Sequence, residues 1–215
     1  GTKRVYSDLG FILLGACVER VAGRRLDVAA RERIFGPLGM KQTTFCPPQR
    51  LHPRCAATEI RPGAEEPLVG TVHDENAAAM GGVAGHAGLF STAADLAVFC
   101  RMMLSGGALG GVVILSPAAM QMLFTRDLGS AAGERWRGWG GIDPRGDDRD
   151  MFSPSAFGHT GFTGTSLWID PEQDCFVICL TNAVHPKRGE RGGLTETRLR
   201  VYRAATEFVR QAKRG

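Results

Sequence analysis

The chain has 215 residues, 43% apolar and 22% charged, a globular balance that excludes a disordered tail and is long enough for a core. No apolar run approaches the ~20 residues of a membrane-spanning helix; Phe11 to Cys17 is the longest. Of the net charge of +4, the segment Lys187 to Gly215 carries nine Lys/Arg against three Glu, and aromatics do not alternate with these charges as a stacking surface requires, so the stretch reads as a solvated helix face and no nucleic-acid partner is expected.

The chain opens on Gly1-Thr2-Lys3-Arg4 with no signal peptide and runs straight into a structured-looking segment, which points to sequence upstream. Leu9, Ile12, Leu13, Ala16, Cys17 and Val21 recur at helical spacing, and Gly23 stops the helix. Asp27 is the expected N-cap of a second, short helix, Val28 to Phe35, ended by Gly36-Pro37. From Phe45 to Asn76 there are five prolines and little periodicity, an irregular loop or insertion of the functional kind. After Gly81-Gly82-Val83-Ala84-Gly85-His86-Ala87-Gly88, Ser91 is the expected N-cap of a helix through Leu104, with Leu96, Phe99, Cys100 and Met103 on one face. Ser116-Pro117 starts another helix through Phe124. Gly129 to Pro154 reads as loop.

The pattern then changes. Ser166 to Ile169 and Cys175 to Thr181 are short apolar runs joined by Asp170-Pro171-Glu172-Gln173-Asp174, so an antiparallel hairpin is expected, with Phe157 to Phe162 as a third strand turned by Gly164. A final amphipathic helix places Val201, Ala205, Phe208 and Ala212 on one face, with Arg198, Arg203 and Arg210 elsewhere. Helices, an antiparallel sheet and a covering helix make an α+β fold, read as one domain over residues 1–215 with 45–76 as its irregular loop.

Several chemistries are set aside. There is no phosphate-binding G-x-x-x-x-G-K-[ST] and no G-x-S-x-G elbow, and Gly82, Gly85 and Gly88 do not form a dinucleotide loop, so no cofactor is expected. The six cysteines form no C-x-x-C pair. Cys17, Cys100, Cys175 and Cys179 read as core residues, whereas Cys46 and Cys55 flank a proline-rich stretch and are either paired or reduced. His73, Asp74, Glu75 and His86 match no helical or finger ligand pattern, so loop-building hydrogen bonds are favoured over a metal site.

Two segments carry more. Tyr6-Ser7-Asp8 precedes the first helix, and Gly158-His159-Thr160-Gly161-Phe162 precedes the hairpin. Singly, the first could be a buried aromatic with a helix cap and the second an ordinary strand edge. Together, and in this order, they resemble the second and third motifs of the serine β-lactamases, penicillin-binding proteins and related esterases, Tyr-x-Asn and Lys-Thr-Gly or His-Thr-Gly. Ile34-Phe35-Gly36-Pro37-Leu38-Gly39-Met40, Gly88-Leu89-Phe90-Ser91-Thr92-Ala93-Ala94-Asp95-Leu96, Leu180-Thr181-Asn182 and the run from Phe157 to Pro171 also resemble that family.

The resemblance implies a β-lactamase/transpeptidase-like fold, an antiparallel sheet flanked by helices, incomplete at the N-terminus. It implies acyl-enzyme hydrolysis of an ester or amide in a small-molecule or peptidoglycan-like substrate, outside the cytoplasm. Tyr6 and His159 would be catalytic, and Asp8, Thr160, Gly161 and Phe162 would meet the substrate, with the Phe162 N–H as one oxyanion-hole donor. No serine has a lysine three residues later, so the family's Ser-x-x-Lys nucleophile is expected in a missing N-terminal half, and the chain alone is expected to be inactive. The alternative is a non-catalytic ligand-binding module on the same scaffold. Two departures shape the expected specificity. Asp8 stands where the family often has Asn, and an ionised carboxylate cannot donate a hydrogen bond. His159 stands for the commoner Lys, which makes a substrate-binding charge conditional on pH, because an imidazole titrates near neutrality. Both favour an esterase or peptidase with weak β-lactam turnover.

Overall fold

A computed structural model describes residues 6–124, 138–141, 150–189 and 193–213, so most of the expected loop from Gly129 to Pro154 lies outside the described residues. The chain divides into two compact units, one built from Val5–Val98 with Asn182–Gly189, the other from Phe99–Thr181 with Glu190–Gly215.

The first unit is assembled from short elements. Helix α1 spans Asp8–Ala22, and Gly23 closes it in the left-handed region with φ 64°, a conformation that glycine adopts without a Cβ penalty. Its apolar positions do not form a buried stripe: Leu9, Leu13, Leu14, Val18 and Val21 are exposed, as is Cys17, and only Gly15 is buried. Helix α2, Leu26–Ala30, begins before the expected cap. Asp27 lies inside its first turn and pairs with Arg25 (3.1 Å), so it supports the helix N-terminus electrostatically without capping it. The helix continues through Arg31–Phe35 in a widened turn, in which Gly36 N–H bonds Arg31 O at 2.8 Å.

Strand β1, Thr44–Phe45, pairs antiparallel with β2, Leu89–Phe90, on either side of α3, Glu75–Ala79. The intervening loop is irregular, as expected, apart from one tight helical stretch at Gln49–Arg54. Helix α4 spans Ala93–Leu104. Thr92, not Ser91, caps it, since Asp95 N–H bonds Thr92 Oγ1 at 3.2 Å. Ser91 Oγ instead meets Thr43 Oγ1 at 2.8 Å. Asp95 is buried and accepts from Gln42 N–H and Thr43 Oγ1, both at 2.8 Å, tying β1's approach to the helix.

The second unit holds the sheet. Two-residue strands β3 (Ala108–Leu109) and β4 (Val112–Val113) form a small hairpin, followed by α5, Pro117–Phe124, where Ser116 Oγ accepts from Ala119 N–H. The main sheet runs β5 (Gly140–Gly141), β6 (Phe157–Thr160), β7 (Ser166–Asp170), β8 (Cys175–Cys179), antiparallel throughout. On one face Trp168 and Val177 pack with Met151, Phe152, Ala156 and Tyr202; on the other, Phe157 meets the rings of Phe124 and Trp139 at 4.6 and 5.4 Å.

Helix α6, Leu194–Ala212, covers the first face by a different stripe from the one expected. Tyr202 and Thr206 are buried and Leu199 and Ala205 pack beside them, whereas Val201 and Phe208 are exposed. The stripe tolerates polar atoms because each finds a partner: Tyr202 donates to Ser166 Oγ at 2.6 Å and Thr206 to Tyr202 O at 2.9 Å. All six cysteines are free thiols. Burial pushes Cys100 up to about 12 and Cys175 up to about 11, so both behave as small core groups.

Candidate active site

In the first unit, Tyr6 and Asp8 stand at the entry to α1. Ser7 occupies the N-cap position, extended at φ −149° and ψ 120°, but its side chain makes no capping bond, so the cap reading of Ser7-Asp8 fails at Ser7. Tyr6 is 65% exposed, which removes the buried-aromatic reading. Asp8 is exposed and opens the helix.

Asp8 has neighbours that the sequence did not announce. Gly85 lies directly against α1: a Cβ built there would sit 2.0 Å from Phe11 O and 3.0 Å from Gly15 N. Only a glycine permits that approach, and it carries the next residue, His86, to the helix entry. One oxygen or nitrogen from each of Asp8, Asp74 and His86 lies within 4.8 Å of the others. His86 is 4% exposed at its side chain, and its Nε2 lies 2.9 Å from Asp74 Oδ1. The same oxygen caps α3 by accepting from Ala77 N–H at 2.8 Å. Burial alone would raise the Asp74 carboxyl, but these hydrogen bonds outweigh it and hold the group below its ordinary range.

The other two residues of the sequence cluster go elsewhere. His73 Nε2 meets Glu59 Oε2 at 3.0 Å, both residues buried. Arg188 donates to Glu59 at 2.7 Å and also to Glu75, while Arg61 donates to His73 O at 2.6 Å. For Glu59, too, burial works upward and is overcome by the bonds from Arg188 and His73, so its pKa is lowered. With Asn182 Nδ2 on Ala57 O and Ile60 N–H on Pro186 O, this network fastens the return segment Asn182–Gly189 to the proline-rich loop. His73 and Glu75 thus help to build the loop, through side-chain pairs rather than the expected bonds to backbone.

In the second unit, His159 and Thr160 are the last two residues of β6. His159 pairs across to Leu167 and Thr160 to Ser166, and His159 Nδ1 lies 2.8 Å from Thr160 O. Gly161 begins a tight turn: its N–H bonds Thr165 O at 2.7 Å, and Gly164 N–H returns to Gly161 O at 3.1 Å. A Cβ on Gly161 would fall 2.3 Å from Thr165 Oγ1, so a larger residue at this position would have to displace the Thr165 hydroxyl. Phe162, at the tip, is 56% exposed.

The sequence reading overlooked Arg198, leaving it among the off-face charges of α6. Its guanidinium donates to Gly164 O from Nε at 3.0 Å and from Nη2 at 2.5 Å, and to Thr165 O at 3.0 Å. It is the positioning residue of the Gly161–Thr165 turn, binding carbonyls with a planar, pre-organised fork. The signal available was its offset: Arg198 lies one turn before Tyr202 on the buried stripe. Tyr6 and Asp8 thus belong to one unit and His159, Thr160, Gly161 and Phe162 to the other, each set placed by the packing of its own unit.

The family profile described as Beta-lactamase matches residues 1–201. The chain belongs to the β-lactamase family. It is 38% identical over 204 residues to the Escherichia coli O157:H7 protein named "Putative D-alanyl-D-alanine carboxypeptidase", covering 86% of this chain and 46% of that one. A protein of the same name in Salmonella schwarzengrund is 36% identical over 200 residues with the same coverage. The chain thus spans about half the length of the curated relatives it matches. Among solved structures it is similar to a penicillin-binding protein homologue from Caulobacter crescentus, with TM-score 0.67 and 22% identity over 95% of this chain and 58% of that one. It is also similar to EstCE1, a hydrolase with promiscuous acyltransferase activity, with TM-score 0.64 and 23% identity over 92% and 55%. At these identities the structures establish the fold: a β-lactamase/transpeptidase-like, mixed α+β architecture. The family is one of serine hydrolases, so at that level the chain is part of an enzyme fold. Among the described residues no helix is long and apolar enough to cross a membrane.

Proposed function

We propose that the chain is the Tyr-motif and His-Thr-Gly portion of a serine hydrolase that works through an acyl-enzyme on a small ester or peptidoglycan-like amide. The observation that carries this reading is the pair of motifs, Tyr6 exposed at the head of α1 and His159-Thr160-Gly161 ending β6 in a braced turn, in a chain of this family. The nucleophile, a Ser-x-x-Lys supplied by the portion of the protein outside this chain, attacks the acyl carbonyl. Tyr6 moves the proton from the nucleophile to the leaving group. His159 and Thr160 bind the substrate's polar end, and the Phe162 N–H helps hold the oxyanion. The exposed apolar face of α1, with Leu9, Leu13 and Val21, is the surface against which the nucleophile-bearing portion packs, because an apolar stripe of this size is otherwise costly in water.

The substrate is an ester or a D-amino-acid amide, with β-lactams turned over weakly. A lysine in place of His159 would hold a penicillin carboxylate with a permanent charge, whereas a histidine does so only when protonated. The test is turnover of short-chain esters, D-alanyl-D-alanine peptides and penicillins by the purified full-length protein. Ester or peptide turnover well above penicillin turnover is expected; a reversed order overturns the substrate assignment.

A further inference from the structure

Asp8 differs from the motif's usual Asn in one chemical respect. A carboxylate accepts hydrogen bonds and ligates cations but donates nothing. Asp8 does not stand alone: a second carboxylate, Asp74, and an imidazole, His86, converge on it, one ligand atom from each lying within 4.8 Å of the others. Neither carboxylate has a Lys or Arg ion-pair partner among the described residues, and Asp74 is paired only with His86. Among the described residues, the cluster therefore gathers two carboxylates around an imidazole.

The imidazole also has unused capacity. His86 shares Nε2 with Asp74, while its Nδ1 is buried and has no partner among the described residues. The close contact between Gly85 and α1 holds the neighbouring His86 at the head of the helix, so the imidazole is placed there by backbone packing.

We propose that Asp8, Asp74 and His86 form a binding site for one divalent transition-metal ion at the head of α1. One imidazole and two carboxylates suit the zinc, cobalt and manganese class better than calcium or magnesium, which take oxygen donors. Ligand atoms on such an ion sit ~2.0–2.2 Å from it, and the exposed Asp8 side chain has room to turn toward it. The site stands on the geometry of the first unit alone, whether or not the acyl-transfer reading holds. Its consequence is that position 8 holds a cation and not a substrate amide.

The test is titration of the metal-free, full-length protein with Co²⁺, followed by calorimetry and visible absorption. Uptake of about one equivalent is expected, with weak d–d bands and no sulfur-to-metal band, since no cysteine belongs to the site. Asp8→Asn is isosteric and exposed, so it preserves the fold; it and His86→Gln each weaken binding by ~10-fold or more. Thermal melts of the metal-free variants separate lost ligation from lost structure, and Asp8→Asn decides alone if His86→Gln fails to fold. No uptake, uptake that Asp8→Asn leaves unchanged, or a thiolate band would each overturn the proposal.

Discussion

The two units solve the problem of holding a motif in opposite ways. The sheet unit places His159 and Thr160 at the end of a four-stranded ladder whose faces are packed by Trp168, Phe152 and Tyr202 on one side and Phe157, Phe124 and Trp139 on the other. The α1 unit has two-residue strands, and it is held by side chains reaching across long sequence distances, Arg188 to Glu59 and Asp95 to Thr43, and by the close backbone approach of Gly85 to α1. Apolar area stabilises the first at ~25 cal/mol per Å² buried. The second depends on paired polar groups, each of which contributes only ~1 kcal/mol when made but costs more when orphaned. Substitutions in the α1 unit should therefore act chiefly by broken pairing, whereas the sheet unit can be broken through its packing or through its buried polar ties.

The largest effect is expected at Gly158, where a Cβ would lie 2.2 Å from Leu167 O and 2.6 Å from the Trp168 ring. Gly158→Val forces β6 from β7 and is expected to cost more than ~4 kcal/mol by denaturant unfolding, an exceptional value for one residue. Next comes Asp170, fully buried and accepting from Ser153 N–H (2.7 Å), Ser153 Oγ (2.6 Å), Gln173 N–H (3.0 Å) and Gln173 Nε2 (2.7 Å). Asp170→Ala strands those donors and is expected to cost about 3 kcal/mol. Burial raises this carboxyl, but the four bonds prevail and its pKa is lowered. A depressed carboxylate contributes stability that is present above the ordinary carboxylate range and lost as pH falls through the folded value. Urea midpoints of the wild type should thus drop in acid, and those of Asp170→Asn should drop less.

A smaller effect is expected in the polar unit. Glu59→Gln keeps the shape but weakens the bonds to His73 and Arg188, and should lower the melting temperature by less than Asp170→Ala does. Equal losses would remove the contrast between the units. The smallest stability effect is expected for Arg198→Met, which retains the stem's packing but releases the carbonyls of Gly164 and Thr165. Its signature is functional: turnover falls several-fold while the melt barely moves, because only the turn that follows His159 loosens.

What the sequence made legible follows from range. Helix α5, the β7–β8 hairpin and the Gly23 stop each rest on neighbours a few residues apart, so periodicity and turn residues revealed them. The stripe of α6 was misread because Phe208 and Val201 are apolar yet exposed, while the buried Tyr202 and Thr206 look polar until Ser166 and a backbone carbonyl satisfy them. Strand pairs of two residues, such as β1–β2 and β3–β4, carry no pattern to read. The candidate motif residues stand out in the sequence by kind and order, but the company Asp8 keeps does not, because Asp74 and His86 lie far from it in sequence and meet it only in the folded unit.

The central claim is acyl transfer with Tyr6 moving the proton, and intact-mass analysis of the full-length protein tests it most directly. After exposure to a slowly released penicillin, the wild type is expected to carry one covalent acyl group, and Tyr6→Phe, folded to the same melting temperature, is expected to acylate ~10²-fold or more slowly. A folded wild type that gains no adduct and hydrolyses no ester, or a Tyr6→Phe variant that acylates at the wild-type rate, would contradict the account.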